Sequence, residues 1–301
     1  MLGAVSVTTR VARDIREVIW AYVRLTKPRI VALLIVTTVP AMIQAQGGLP
    51  SWWLILATVL GGSVVAGGAN AMNMYFDRDI DQVMRRTRER PVPAGLVEPE
   101  KAAAFGLALG AGGFIFLDLA VNLLAAALTI GAFAFYVVVY TLILKRSTPL
   151  NIVIGGAAGA MPPLIGWAAV TNEISVSAII MFAIVTAWTP PHFWALSMNY
   201  ASDYARAGVP MLPVVAGPEE TKRQIFAYSV VLVITSLSLW FLGSAGYVYV
   251  TAAIALGAGF LHFAYGLWRD GSSRSSAALF RYSIIYLALL FAAIAVDGLV
   301  S

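Results

Sequence analysis

The chain has 301 residues, 60% hydrophobic and 12% charged, with a net charge of +5 and no cysteine. A soluble domain carries about 25% charged residues, so the composition and the mean hydropathy of +0.82 exclude a soluble fold. The missing thiols exclude disulfides and thiolate metal sites.

Apolar runs of about 20 residues recur, each long enough to cross a hydrocarbon core of roughly 30 Å. They predict an all-α polytopic membrane protein; a β-barrel would show short alternating strands instead. Residues 1–29 come first. Arg10, Arg13, Arg16, Arg24, Lys27 and Arg29 lie in a segment of mixed polarity. It lacks the short apolar core and small-residue cleavage site of a signal peptide and reads as a basic cytoplasmic segment. Nine spans follow, at 30–46, 52–72, 102–117, 121–144, 150–170, 175–197, 224–243, 246–268 and 282–299. Short connections alternate with longer basic ones, and in this arrangement all 20 Lys and Arg residues fall on one side. The positive-inside rule then puts the N-terminus and the long loops in the cytoplasm and the C-terminus outside the cell membrane. The same rule accounts for the positive charge without nucleic acid. Asp118, Glu173 and Asp297 read as interfacial residues of the outer side.

The stretch after span two, "NMYFDRDIDQVMRRTRERPVPAG" (73–95), is dense in charge. Asn73, Asp77 and Asp81 are spaced i, i+4, i+8, which puts them on one helical face, with Asp79 off it. The helix of span two is expected to run on through this motif. Neighbouring carboxylates repel where water is scarce. A hard cation such as Mg²⁺, which takes carboxylates, water and phosphate oxygens, relieves that repulsion. Arg78, Arg85, Arg86 and Arg90 suit phosphate, as do Lys145 and Arg146 on the loop after span four.

After span six, "PPHFWALSMNYASDYARAGVPMLP" repeats the spacing with Asn199 and Asp203. Asn73 and Asn199 stand 126 positions apart, as do Asp77 and Asp203. The topology thus reads as two related four-helix halves plus a ninth helix around a central cavity. Both motifs face one mouth of that cavity. A site for metal and diphosphate beside an apolar interior suits a substrate with a diphosphate head and a long apolar tail. His192 lies within "TPPHFW", where two prolines break the helix and free backbone carbonyls. A histidine at membrane depth is costly and commonly functional. His262 has no supporting neighbourhood. Tyr75, Phe76, Phe193 and Trp194 offer aromatic faces to an allylic cation. A secondary transporter would also suit paired halves and a buried histidine. Its carboxylates would lie near the midplane, however, and not at one mouth.

The residues Asn73, Asp77, Ile80, Asp81, Met84, Arg86, Thr87, Arg90 and Gly95 form a pattern that resembles the signature of the UbiA superfamily of intramembrane prenyltransferases. "LTKPRI", "YTLILKRSTPLNIVIGGAAGAMPPLIGW" and the stretch after span six resemble the haem-farnesylating branch, and the likeness covers about residues 21–299. The resemblance implies nine helices around a cavity, making 30–299 one prenyltransferase domain. It implies Mg²⁺-dependent transfer of the farnesyl group of farnesyl diphosphate to a vinyl group of haem b, with water addition, giving haem O. Asp77, Asp81 and Asp203 would be catalytic and, with Asn73, would bind metal. Asn73, Arg78, Arg86, Arg90, Lys145, Arg146 and Asn199 would hold the diphosphate. His192 would be a haem contact. Asn199 stands where many members have an aspartate. The lipid bilayer and a downstream haem O-processing enzyme or terminal oxidase assembly are the implied partners. A related prenyltransferase acting on a quinone precursor or chlorophyll-type acceptor is the nearest alternative.

Overall fold

The computed structural model describes residues 15–300; Arg10 and Arg13 of the basic segment lie outside the described residues. Helix α1 (Ile15–Thr26) precedes the first span. It buries Ala21 and Leu25 against Ala71 and Met74 and leaves Ile15, Ile19 and Trp20 exposed. An apolar face beside arginines suits a helix lying in the membrane interface.

Nine helices among the described residues are long and apolar enough to cross a membrane. They are α2 (Pro28–Gln46), α3 (Trp52–Phe76), α5 (Pro99–Ala120), α6 (Leu123–Ser147), α7 (Asn151–Thr171), α8 (Val176–Met198), α11 (Gly217–Phe241), α12 (Tyr247–Asp270) and α13 (Ser273–Val300). Three short helices lie between them: α4 (Arg78–Val83), α9 (Ala201–Arg206) and α10 (Leu212–Val215). The spans fall where the apolar runs predict them, with two extended starts. α11 begins at Gly217, because Pro218 suits the first turn and Glu219 and Glu220 complement the helix dipole there. α13 begins at Ser273, since the polar stretch ahead of Arg281 is helical too.

Helix α8 runs unbroken through Pro190 and Pro191, so the break expected at this pair does not occur. Each proline still lacks an N–H, which leaves the carbonyls of Thr186 and Ala187 without their i+4 donors. Helices α3 and α5 pack through glycines. A Cβ on Gly68 would sit 2.6 Å from Gly106 O, and one on Gly106 would sit 2.8 Å from Gly68 O. Small residues let membrane helices approach this closely.

Two local departures shape the functional end. Within α6, Phe135–Leu144 is a π-helix, a feature common at functional sites. Its wider turn lets Thr141 Oγ1 donate to Tyr136 O, five residues back, at 2.8 Å. Between α1 and α2, Lys27 has φ 51°, uncommon for a residue with a Cβ. At the opposite end, Asp297 is buried and accepts from Gly246 N and, at 3.4 Å, from Tyr249 N. It caps α12, and so is not the ordinary interfacial residue the sequence suggests.

Candidate active site

Helix α3 ends at Phe76, and Asp77 (φ −88°, ψ 4°) interrupts it for one residue before α4. The expected continuous helix is therefore broken once. The bonds Asp77 N→Asn73 O (2.9 Å) and Asp81 N→Asp77 O (2.8 Å) keep the i, i+4 geometry across the break. Asn73, Asp77 and Asp81 consequently share a face and are 3%, 0% and 1% exposed. The Asp79 side chain is 62% exposed.

Charges from four parts of the chain meet on that face. Asn73 Nδ2 donates to Asp77 Oδ2 at 2.7 Å and to Thr141 Oγ1 at 3.1 Å. Lys27 Nζ donates to Asn73 Oδ1 at 2.9 Å. Lys145, at the end of α6, forms an ion pair with Asp77 Oδ2. Arg90 Nη1 contacts both oxygens of Asp81, at 2.9 and 2.8 Å. A turn orients Arg90: Arg90 N donates to Thr87 O, and Leu96 and Val97 N–H groups donate to Pro91 O. Gly95 supplies the left-handed residue of that turn, at φ 68°.

Arg146 binds Asp79 through both guanidinium Nη atoms, at 2.7 and 2.8 Å, and donates to Phe76 O at 2.8 Å. This hydrogen-bonded pairing holds the Asp79 carboxyl down at about 2. Arg146 also comes within 3.9 Å of Asp77 Oδ1, a buried oxygen with no hydrogen-bond donor. A cleft of about 330 Å³ adjoins this pair, lined also by Ile80, Val83 and Arg206.

The loops after α3 and α8 fold together. Met84, Tyr204, Val209 and Met211 share one buried apolar cluster. Arg86 donates to the Tyr204 hydroxyl at 3.4 Å and lies over the Tyr200 ring at 5.9 Å. Burial pushes the Tyr204 hydroxyl pKa up.

The second motif is less engaged. Asp203 is buried and paired with Arg206. Asn199 is exposed and reaches Ser276 Oγ at 3.4 Å. Neither makes a hydrogen bond or ion pair with Asp77 or Asp81. The two copies are alike only approximately in the structure. Asp77 and Asn199 are the residues that end α3 and α8, and a six-residue helix follows each. One residue, Asp77, separates α3 from α4, and two, Asn199 and Tyr200, separate α8 from α9, so Asp81 is the fourth residue of its short helix and Asp203 the third of its own.

Other expected residues fall outside the cluster. Arg78 is exposed and donates to Tyr75 O at 2.8 Å. Trp194 is buried against Tyr228, with ring centroids 5.4 Å apart. His192 stacks between Trp188 and Phe280, at 4.1 and 4.7 Å, while His262 is exposed on α12. Sequence reasoning gave no role to Lys27, Thr141 or Tyr204. The one signal for Lys27 was its place in "LTKPRI".

Among the described residues no three His, Asp or Glu side chains stand close enough together to hold a metal. The donor set still fits a hard cation. Asp77, Asp81 and the Asn73 amide could supply oxygen ligands, and Asp77 Oδ1 is buried without a donor.

A bundle of membrane-length helices with this polar cluster at one end defines an integral membrane protein. The chain belongs to the UbiA prenyltransferase family, which it matches over residues 34–292. It is 52% identical over 288 residues to protoheme IX farnesyltransferase 1 of Saccharopolyspora erythraea, covering 95% of this chain and 92% of that one. It is 53% identical over 279 residues to protoheme IX farnesyltransferase of Gloeobacter violaceus, covering 92% of each. The chain spans about half the length of two further curated relatives, from Roseiflexus (52%) and Chloroflexus aurantiacus (49%). The fold resembles a solved digeranylgeranylglyceryl phosphate synthase, with TM-score 0.78 and 18% identity over 95% of this chain and all of that one. It also resembles a UbiA homologue of Archaeoglobus fulgidus bound to GPP and Mg²⁺, with TM-score 0.68 and 20% identity over 91% and 99%.

Proposed function

We propose that this protein transfers the farnesyl group of farnesyl diphosphate to a vinyl group of haem b, with addition of water, releasing haem O and diphosphate. The observation that carries the reading is the convergence of Asn73, Asp77 and Asp81 with Lys27, Lys145 and Arg90 in one cluster. The naming of relatives about half identical to this chain supports the acceptor.

The allylic C–O bond breaks and its electrons leave with the diphosphate. The farnesyl cation then takes the vinyl π electrons. Water adds to the resulting carbocation and loses a proton, which leaves a hydroxyl. Bound Mg²⁺ would stabilise charge on the leaving group, as the A. fulgidus homologue bound to GPP and Mg²⁺ suggests. Asn73, Asp77 and Asp81 would hold it, with Asp203 from the second motif.

Lys145 and Arg90 pair with Asp77 and Asp81. With a cation and diphosphate held there, Lys145 and Arg90, together with Lys27, Arg86 and Arg146, would supply positive charge to the phosphate oxygens. Positive groups placed where charge develops favour ionisation, and an apolar interior keeps water from the cation. Arg78 and Asn199 lie at the margin and contribute less. His192 is the contact on the haem side. The protein lies in the cell membrane with its N-terminus and long loops cytoplasmic, and passes its product to a haem O-processing enzyme or oxidase assembly.

Purified protein is incubated with haem b, farnesyl diphosphate and Mg²⁺, and the pigments are read by mass spectrometry. Haem O is the expected product. Prenylation of a quinone precursor but not of haem would overturn the acceptor assignment.

A further inference from the structure

Two residues one turn apart on α8 converge on a single residue of α13. Trp188 Nε1 donates to the backbone oxygen of Ser283 at 2.7 Å. His192 Nδ1 lies 2.6 Å from Ser283 Oγ. The Ser283 hydroxyl in turn donates to Phe280 O at 2.7 Å.

A hydroxyl has one proton to give. With that proton on Phe280 O, Ser283 Oγ meets His192 as an acceptor, so Nδ1 carries the ring hydrogen. The neutral imidazole then has a bare lone pair at Nε2. No described residue hydrogen-bonds Nε2, and no carboxylate contacts the ring to favour an imidazolium. The ring plane is fixed as well, because His192 is stacked within 18° of Trp188 and 26° of Phe280. The residue as a whole is partly exposed. Such a histidine, with one nitrogen tied to an oxygen acceptor and the other free, has the form of a metal-ligating imidazole.

We infer that Ser283 is a positioning residue that holds His192 in its Nδ1–H form, with Nε2 presented to the iron of the haem acceptor. This rests on the haem reading above and adds to it the ligating atom and the group that selects it. Trp188 and Phe280 set the ring plane, and the Ser283 hydroxyl sets the tautomer.

The tautomer is read on the unmodified protein. It has two histidines, so ¹⁵N-histidine labelling with His262→Gln for assignment isolates His192. A protonated Nδ1 and a bare Nε2 are expected; the opposite tautomer overturns the assignment. Ferric haem b is then titrated into the full-length protein without farnesyl diphosphate and followed by its visible spectrum. The wild type should show a histidine-ligated haem. His192→Ala should lose that signature, and added imidazole should restore it. Ser283→Ala should weaken haem binding roughly 10- to 100-fold, the scale of losing an outer-shell partner, whereas Ser283→Thr should restore it.

Thermal stabilisation by farnesyl diphosphate, unchanged in each variant, separates this effect from misfolding. Should Ser283→Ala fail to fold, the wild-type tautomer decides. Unaltered affinity and spectrum in a folded Ser283→Ala overturn the positioning role. A wild type that farnesylates haem without any histidine-ligated spectrum overturns the inference and leaves the proposed function standing. A His192-ligated haem with no farnesylated product supports the inference and overturns the proposed function.

Discussion

Lys27 Nζ donates to Asn73 Oδ1 at 2.9 Å, tying the residue before the first span to the last turn of the second. Burial, first, and the charge of Arg90, next, push its pKa well below the ordinary 10.5; Asp81 and Asp77 oppose them. Between the lowered value and 10.5, the folded chain binds fewer protons than the unfolded chain. The cost of charging Lys27 is therefore present at lower pH, and stability rises with pH through this window. A bound diphosphate would reverse the balance by favouring the ammonium.

Diphosphate binding should therefore take up protons within that window and weaken as pH rises through it. Lys27→Met should lower diphosphate affinity roughly 10- to 100-fold, the scale of one charged hydrogen bond, and abolish the proton uptake. Titration calorimetry in buffers of different ionisation enthalpy measures both. Wild-type affinity in Lys27→Met would count against a role for this residue.

The shared face of Asp77 and Asp81 separates them from Asp79. Asp77→Asn and Asp81→Asn should cut turnover by about 10²- to 10³-fold, the scale of losing one electrostatic stabiliser. Asp79→Asn should stay within a few-fold. Its pairing with Arg146 contributes stability above about pH 3.8 that is lost as pH falls through about 2. The side chain is largely exposed, so that contribution is small. Equal losses in all three variants would refute the one-face arrangement.

The one-sided distribution of basic residues fixes an expected orientation. A reporter inserted near Arg85 should be cytoplasmic, and one fused after Ser301 should be outside. Alkaline phosphatase and green fluorescent protein fusions read the two sides, and the same side for both would rule out an odd number of spans.

At the far end of the bundle, Asp297→Ala removes the oxygen acceptors at the start of α12. The expected cost is about 0.5–2 kcal/mol, as for other N-terminal caps, with Asp297→Asn milder. Thermal unfolding of purified protein tests this. An unchanged midpoint in Asp297→Ala would leave the buried carboxylate without a capping role.

The spans and the first motif were legible because both are written in local periodicities. Twenty apolar residues cross a bilayer whatever surrounds them, and i, i+4, i+8 shares a face on any helix. That reading remained correct at Asp77, where α3 breaks, because the backbone bonds across the break keep the helical spacing. The second motif was legible only to within a turn. A pattern repeating every four residues matches itself equally well after a four-residue slip, so sequence paired Asp77 with Asp203. In the structure one residue separates α3 from α4 and two separate α8 from α9, so the two copies are not exact repeats of each other.

The sequence by itself therefore determined the membrane class, the span count and which face of the α3–α4 segment carries the carboxylates. Tertiary structure decided what meets that face. Lys27 reaches Asn73 across 46 positions, Arg86 reaches Tyr204 across 118, and His192 reaches Ser283 across 91. No periodicity encodes such contacts. They arise because close helix packing brings distant segments within hydrogen-bond range, and because a buried polar group without a partner is costly enough to select the arrangement that supplies one.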